Sequence, residues 1–461
     1  MNPSSVPPSA NRESPDRRLA AAVQRLTGTV LGPYQSAVVR IGFAATWLLF
    51  LLREFPHRHE LYGPEGPWDW HMARRLVEDN HSFTVLMWSD SVLWFEAVYA
   101  IAVLSGALLL VGWRTRATSA LFMVGVLSLQ NRSVFMGDGG DNVIHLMAVY
   151  LVLTRCGRVW SLDARRRARR PAGAGADPVG TVLWTVLGFG LVAVLLFRDR
   201  SGEPWVVVLL WLLWLAQGAW WLVCRFAPGQ PRVLLDVLAN LLHNAVLAVI
   251  MAEVCLIYAT AGWYKIQGSR WQDGTALYYP LKLDYFSPWP ALSDLLANAG
   301  LVVMVITYGT VIVQVAFPFT LFNRRVKNVL LAVMMAEHAG IAVLLGLPAF
   351  SLAMITADAV FLPTVFLLWL EGRVRRVGAR LRPGRAAAER DPAPGAPAPV
   401  PSSGEQRDPD GRPPPVRRRL RPRGRGRAAP PALAAGRALR PRAARRGRPA
   451  QRRRPLPVLD A

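Results

Sequence analysis

DVLANLLHNAVLAVIMAEVCLIYATAGWYK, residues 236–265, lies within and just beyond an apolar run that covers 233–260. A helix needs about 20 mostly apolar residues to cross the hydrocarbon core of a bilayer, so this run is long enough to span one. Its polar residues keep helical spacing. Asp236, Asn240 and His243 recur at i, i+4 and i+7 and share a face near one end. Hydrogen bonding between helices accounts for such a row, with ligand binding as the other reading. Glu253 lies deeper, where a lone carboxylate calls for a partner. Tyr258 and Lys265 are seven residues apart and point the same way if the helix continues that far.

Working outward, comparable runs fall near 35–52, 91–112, 117–135, 141–155, 180–197, 204–223, 298–321, 327–346 and 350–370. The expected fold is therefore all-α, a polytopic transmembrane helical bundle of about 10 spans, the one at 141–155 being short. The segment RRPAGAGADPVG, 169–180, reads as a Pro/Gly linker between the fourth and fifth spans. Residues 1–30 are a polar segment, 31–371 the membrane domain, and 372–461 an Arg/Pro/Ala-rich tail without apolar period, expected to be disordered. The first apolar run ends in LLFLLREF rather than in small residues, so no cleavable signal peptide is expected.

The formal charge of +24 would suit a nucleic-acid binder, and its location argues otherwise. From Arg373 onward there are 25 arginines against six acidic residues, which leaves only about +5 for the rest. The tail lacks aromatic residues for base stacking, so anionic lipid is its expected partner and nucleic acid is not. With the N-terminus inside, the inner connections PDRRLAAAVQR, GWRTR, RCGRVWSLDARRRARR, CRFAPGQPR, NRRVK and EGRVRRVGARLR are all basic, whereas the outer ones are mixed or nearly neutral. The positive-inside rule then places the protein in the cell membrane with both termini cytoplasmic.

Ionisable residues inside spans usually face a bundle interior or a water-filled cavity. Besides Asp236, His243 and Glu253, they are Glu96, Asp141, His145, Glu337, His338 and Asp358. Glu337 and His338 sit midway along NVLLAVMMAEHAGIAVLLG, either satisfied by neighbouring helices or lining a site. In NRSVFMGDGGDNVIH, Asp138 and Asp141 lack the further oxygen ligands and closing Glu of a calcium loop, and read as a tight turn that caps the next helix. No HExxH, CxxC, phosphate-loop, strand-led GxGxxG or GxSxG motif is present. Cys156, Cys224 and Cys255 read as packing residues.

Only three lysines, Lys265, Lys282 and Lys327, stand against 51 arginines. A sequence that writes nearly every cation as Arg has a reason to use Lys, which alone of the two gives up its proton in a desolvated pocket. Lys265, flanked by Trp263, Tyr264, Trp271 and Tyr278, is thus a candidate base or nucleophile. The competing reading is an interfacial anchor, since Trp, Tyr and Lys all favour the headgroup level.

Three stretches, AGWYKIQGSRWQDGTALYY followed by LDYFSP, GGDNVIHLMAVYLVLTRCGRVWSLDA, and EHAGIAVLLGLPAFSLAM, resemble in that family's order the HTTM family, the membrane domain shared with vitamin K-dependent γ-carboxylase. The similarity covers roughly residues 30–370. In the carboxylase the corresponding lysine is regarded as the base that deprotonates reduced vitamin K, and Lys265 matches it. His338 precedes Phe350-Ser351 at the spacing of a carboxylase histidine, and the stretch from Asp141 to His145 approximately overlies another. The resemblance thus implies catalytic roles for Lys265 and His338. It implies a reduced quinone, vitamin K or menaquinol, as cofactor, with Trp271 and Tyr278 walling its ring and Tyr258, Asp141 and His145 beside it. Three departures matter. No large lumenal domain follows the membrane part, the family's paired lysines become Tyr264-Lys265, and two extra spans appear near 180–223. The resemblance supports the scaffold and a quinol cavity, not protein γ-carboxylation. A non-enzymatic scaffold or small-molecule carrier, with Lys265 as anchor, is the alternative.

Overall fold

A computed structural model describes residues 15–169, 177–197 and 204–380, apart from Val134 and Met136. The expected linker lies mostly outside the described residues, as do the outer segment at 198–203 and the expected tail beyond 380. Among the described residues every regular element is helical. The long ones are α1 (Pro15–Gly28), α2 (Pro33–Glu54), α3 (Val92–Val111), α4 (Thr115–Gln130), α5 (Gly139–Leu153), α6 (Leu162–Arg169), α7 (Pro178–Phe197), α8 (Pro204–Phe226), α9 (Gln230–Gln267), α10 (Gly300–Ala316), α11 (Arg324–Leu344), α12 (Pro348–Asp358) and α13 (Thr364–Arg380).

Seven helices among the described residues are long and apolar enough to cross a membrane, or eight if the bent pair α12–α13 counts as one span. The expected ten included α4 and α5, which form but run only 16 and 15 residues. The last expected span, 350–370, is broken. Pro363 forbids a continuous helix because it lacks an N–H and holds Leu362 in extended backbone (φ −61°, ψ 135°). α12 ends in a short turn at Ala359–Phe361, and α13 leaves at 114° and continues to Arg380, past the expected domain end at 371.

The interior is built where α2, α3, α4, α5 and α12 pack together. Phe43, Trp47, Tyr99, Phe122, Met123 and Met147 are at most 1% exposed there. Two arginines are also fully buried, and each serves backbone carbonyls. Arg40 of α2 donates to Leu109, Leu110 and Trp160 oxygens, capping the end of α3, where carbonyls lack helical partners. Arg132 donates to Tyr62, Gly63 and Trp68 oxygens and so fixes the loop after α2. Asp163 accepts from the amides of Arg114 and Thr115 and starts α4.

α7 and α8 pair through one contact of unusual symmetry. The Trp184 and Trp214 rings stack at 4.1 Å, and each indole N–H donates to the other's backbone oxygen, at 3.0 and 2.9 Å. α9 packs against α1, α5, α8 and α10. At one end its Asn240, His243 and Asn244 bond to the end of α1, and at the other it carries Tyr258 and Lys265.

Candidate functional site

The helix expected over 233–260 runs on to Gln267, which puts Tyr258 and Lys265 on one continuous face. Between them lies Gly262. A methyl group there would come within 2.6 Å of Val315 Cγ2, so the absent side chain is what lets α9 lie close to α10. That approach brings the lysine amine to its partner. Lys265 Nζ donates to Gln314 Oε1 at 2.8 Å, and Gln314 Nε2 donates to Glu337 Oε1 at 2.8 Å. Lys265 Nζ also sits 5.2 Å above the Trp271 ring. Three elements, α9, α10 and α11, thus contribute one polar chain.

Next to Glu337, His338 belongs to a second cluster. Tyr258 Oη donates to Asp358 Oδ2 at 3.0 Å and lies 3.0 Å from His338 Nε2. With the phenol proton directed at Asp358, His338 Nε2 is the donor to Tyr258 Oη, which corresponds to the Nε2–H tautomer. His338 Nδ1 then carries a lone pair. It is buried without a hydrogen-bond partner among the described residues, as are Asp358 Oδ1 and Ser351 Oγ. Ser351 and Asp358 are seven residues apart on α12 and share a face. His338 of α11 and Ser351 and Asp358 of α12 lie on two helices that pack against each other.

Aromatic rings close the cluster. Phe317 meets Tyr258 at 6.0 Å and Phe361 at 5.1 Å, and Phe350 meets His338 at 5.6 Å. Phe350 in turn lies against the start of α5, where a Cβ on Gly140 would come within 2.7 Å of Phe350 Cα. Residues 139–164 and 337–354 therefore meet in space.

Of the residues singled out in sequence, Tyr258 and His338 are in direct contact, and Lys265 and Trp271 are in contact with each other; Gln314 and Glu337 extend the second pair. Tyr278 is 41% exposed, and its ring meets Tyr279 edge-on, so it is not among the groups gathered round Lys265. Asp141 closes a capping box with Asp138 at the start of α5, accepting from Asp138 N at 2.8 Å. Its carboxylate is engaged in starting the helix. His145 is half-buried one turn further along the same helix. Gln314 was missed in sequence, although a glutamine in an otherwise apolar span is a signal, as is Thr310 one turn before it. Asp358 and Glu337 stood out as ionisable residues within spans, with no partner to be read for either.

On α9 near the cluster lies a shallow, open apolar groove lined by Met251, Cys255, Ala259, Pro318 and Leu321 among others. Cys255 is one helical turn before Tyr258. Comparison with protein-family models, with curated proteins and with solved structures finds no match.

Proposed function

We propose that the chain is a multi-pass protein of the cell membrane, with both termini cytoplasmic, and an HTTM-like enzyme acting on the hydroxyl of a lipophilic ring such as a reduced quinone. Seven long apolar helices with broadly exposed apolar flanks support the membrane reading. One observation carries the chemical reading. A half-buried Lys265–Gln314–Glu337 chain ends on the residue next to His338, whose Nδ1 is buried without a partner among the described residues.

The residues present fit such a ligand. His338 Nδ1 accepts a hydrogen bond from the ring hydroxyl, and Ser351 Oγ supplies a further polar contact. The apolar groove along α9 takes the lipophilic tail. A reduced quinone supplies an acidic hydroxyl and electrons for reaction with oxygen. Lys265, as the neutral amine, would accept the proton of the ring's other hydroxyl, held in place by Gln314 and Trp271. Glu337 steadies the charge that the lysine gains, through Gln314, without contacting it directly. Tyr258 and Asp358 orient the His338 ring.

The test uses purified full-length protein in lipid nanodiscs, supplied with reduced menaquinone or vitamin K and oxygen. Oxidised or epoxidised product is expected from the wild type, with roughly a hundredfold loss or more in Lys265→Ala, the range for removing a general base. Lys265→Arg keeps the cation but not a removable proton, so it should be as inactive as the alanine variant. Turnover that survives both substitutions overturns the lysine's role.

The second reading, a non-enzymatic scaffold or carrier, draws on the same bond. Lys265 Nζ is satisfied within the fold by Gln314 and Trp271, as an anchoring residue would be. Under that reading Lys265→Arg retains function and stability together.

A further inference from the structure

At the end of the bundle where α1 meets α9, far along α9 from Lys265, basic side chains from separate elements converge. Arg116, at the start of α4, donates to Gln217 Oε1 of α8 at 2.8 Å, and its guanidinium lies 4.8 Å over the Trp220 ring. Arg155, just after α5, lies 5.6 Å over the same ring and bonds to Asn240 and Asp236 of α9. Arg167 of α6 donates to Gly157 O, in the loop that also carries Arg158.

The acids facing this group do not balance it. Asp236 is engaged by Arg155 at 2.8 Å. Asp163 has its oxygens on the backbone and hydroxyl at the start of α4, with Arg166 3.4 Å away. Arg116, Arg158 and Arg167 are left with carbonyl partners, an aromatic face or solvent. Enclosure by protein, and then the charges of Arg155 and Arg167, hold the Arg158 guanidinium below its ordinary pKa although the side chain stays exposed. Like charges held together at a cost on exposed side chains such as Arg116, Arg158 and Arg167 are the arrangement that a phosphate group relieves.

We infer that Arg116, Arg155, Arg158 and Arg167 form a binding site for the phosphate headgroup of an anionic phospholipid. Two features favour a lipid over a free phosphate ester. Trp220 stands beside the cluster as an interfacial tryptophan does. On the membrane side of it along α8, Val208, Leu212 and Leu215 are exposed and apolar, a surface that acyl chains would cover. Basic pockets between membrane helices are known takers of such headgroups. The site is separate from the Lys265 chain, so it stands or falls independently of the proposed reaction.

The experiment is native mass spectrometry of the full-length protein in detergent with added phosphatidylglycerol or phosphatidylcholine, at raised ionic strength to release lipid held loosely by the Arg-rich tail. The wild type should retain one phosphatidylglycerol in preference to phosphatidylcholine. Arg158→Glu, at an exposed position, should lower that retention roughly tenfold or more, as loss of a charged hydrogen bond does. Arg116→Gln should do the same. An unchanged unfolding midpoint in Arg158→Glu separates lost binding from lost folding. A third arm adds glycerol phosphate. Failure to displace the lipid confirms that acyl chains are part of the recognition, whereas full displacement at millimolar levels assigns the site to soluble phosphate esters and overturns the lipid. Equal retention of both lipids, or of phosphatidylglycerol by wild type and Arg158→Glu, overturns the site.

Discussion

Gly262 shows how little separates a built site from scattered polar residues. Its missing side chain sets the distance between α9 and α10, and with it the Lys265–Gln314 bond. Gly262→Ala adds a methyl group against Val315, and overpacking of this kind costs about 1–3 kcal/mol. The expected outcome is a lower unfolding midpoint together with loss of any Lys265-dependent activity, and Val315→Ala should restore both by making room for the methyl group. Failure of the second substitution to rescue would show that Gly262 matters for another reason. Lys265 was legible in sequence because it breaks the chain's habit of using arginine. His338 was legible through its depth in a span. Their partners were not: Gln314 is polar but carries no charge, and the distance from Lys265 to it depends on a glycine's contact with a residue on another helix. Nothing in local sequence encodes that contact. The assignment of His338 Nδ1 as an acceptor was equally out of reach, because it depends on Asp358 claiming the Tyr258 proton.

Individual helices are fixed at their ends by side chains from elsewhere. α1 ends on α9: Asn244 accepts from Leu31 N at 2.8 Å and donates to Leu26 and Thr29 oxygens, while Asn240 and His243 bond to Thr27 and Leu31 oxygens. These are carbonyls without helical partners. Asn244→Ala removes three hydrogen bonds at about 1 kcal/mol each, and hydrogen exchange over residues 26–31 should rise well above that of the rest of the chain. Unchanged protection there would mean that α1 is held by other contacts. α7 begins in a comparable way, on the Arg114–Asp177 pair, bonded at 2.7 Å. The Arg114 hydrogen bonds, ahead of opposing burial, push the Asp177 carboxyl down to about 2. A depressed carboxyl pKa contributes stability above its unfolded value, near 4, and loses it as pH falls toward 2. The wild type should therefore exceed Asp177→Asn in stability by up to about 2 kcal/mol at neutral pH, with the gap closing between about pH 4 and 2. A gap that persists at about pH 2 would assign the effect to packing rather than charge. The row Asp236, Asn240 and His243 was legible as a hydrogen-bonding face from spacing alone. The break before α13 had its signal in Pro363, which an apolar count over 350–370 passes over.

For the molecule as a whole, apolar run length located the helices well, but length alone does not decide which of them cross, because it does not say what surrounds a helix. α4 and α5, at 1.5 Å per residue, are about 24 and 22 Å long, against a hydrocarbon core of about 30 Å. In lipid that mismatch would expose polar ends. Within protein it does not, since neighbouring helices and loops satisfy the backbone groups beyond each end. Ten of the 16 residues of α4 are buried, and both helices pack into the core formed with α2, α3 and α12. We propose that short helices so enclosed still cross, with Arg132 and the Asp138–Asp141 capping box completing the loop between them. We therefore expect the α4–α5 turn to face the side opposite α1. Phe135, 74% exposed in that turn, and Val23, 52% exposed on α1, are suitable reporters. In a variant with Cys156, Cys224 and Cys255 replaced, Phe135→Cys should react with a membrane-impermeant maleimide in intact cells, and Val23→Cys only after permeabilisation. If both cysteines react only after permeabilisation, α4 and α5 form a hairpin that enters the bundle and returns, and the chain crosses eight times instead of ten. Parity is the same in both cases, so the position of the C-terminus cannot distinguish them, and the Phe135 label decides.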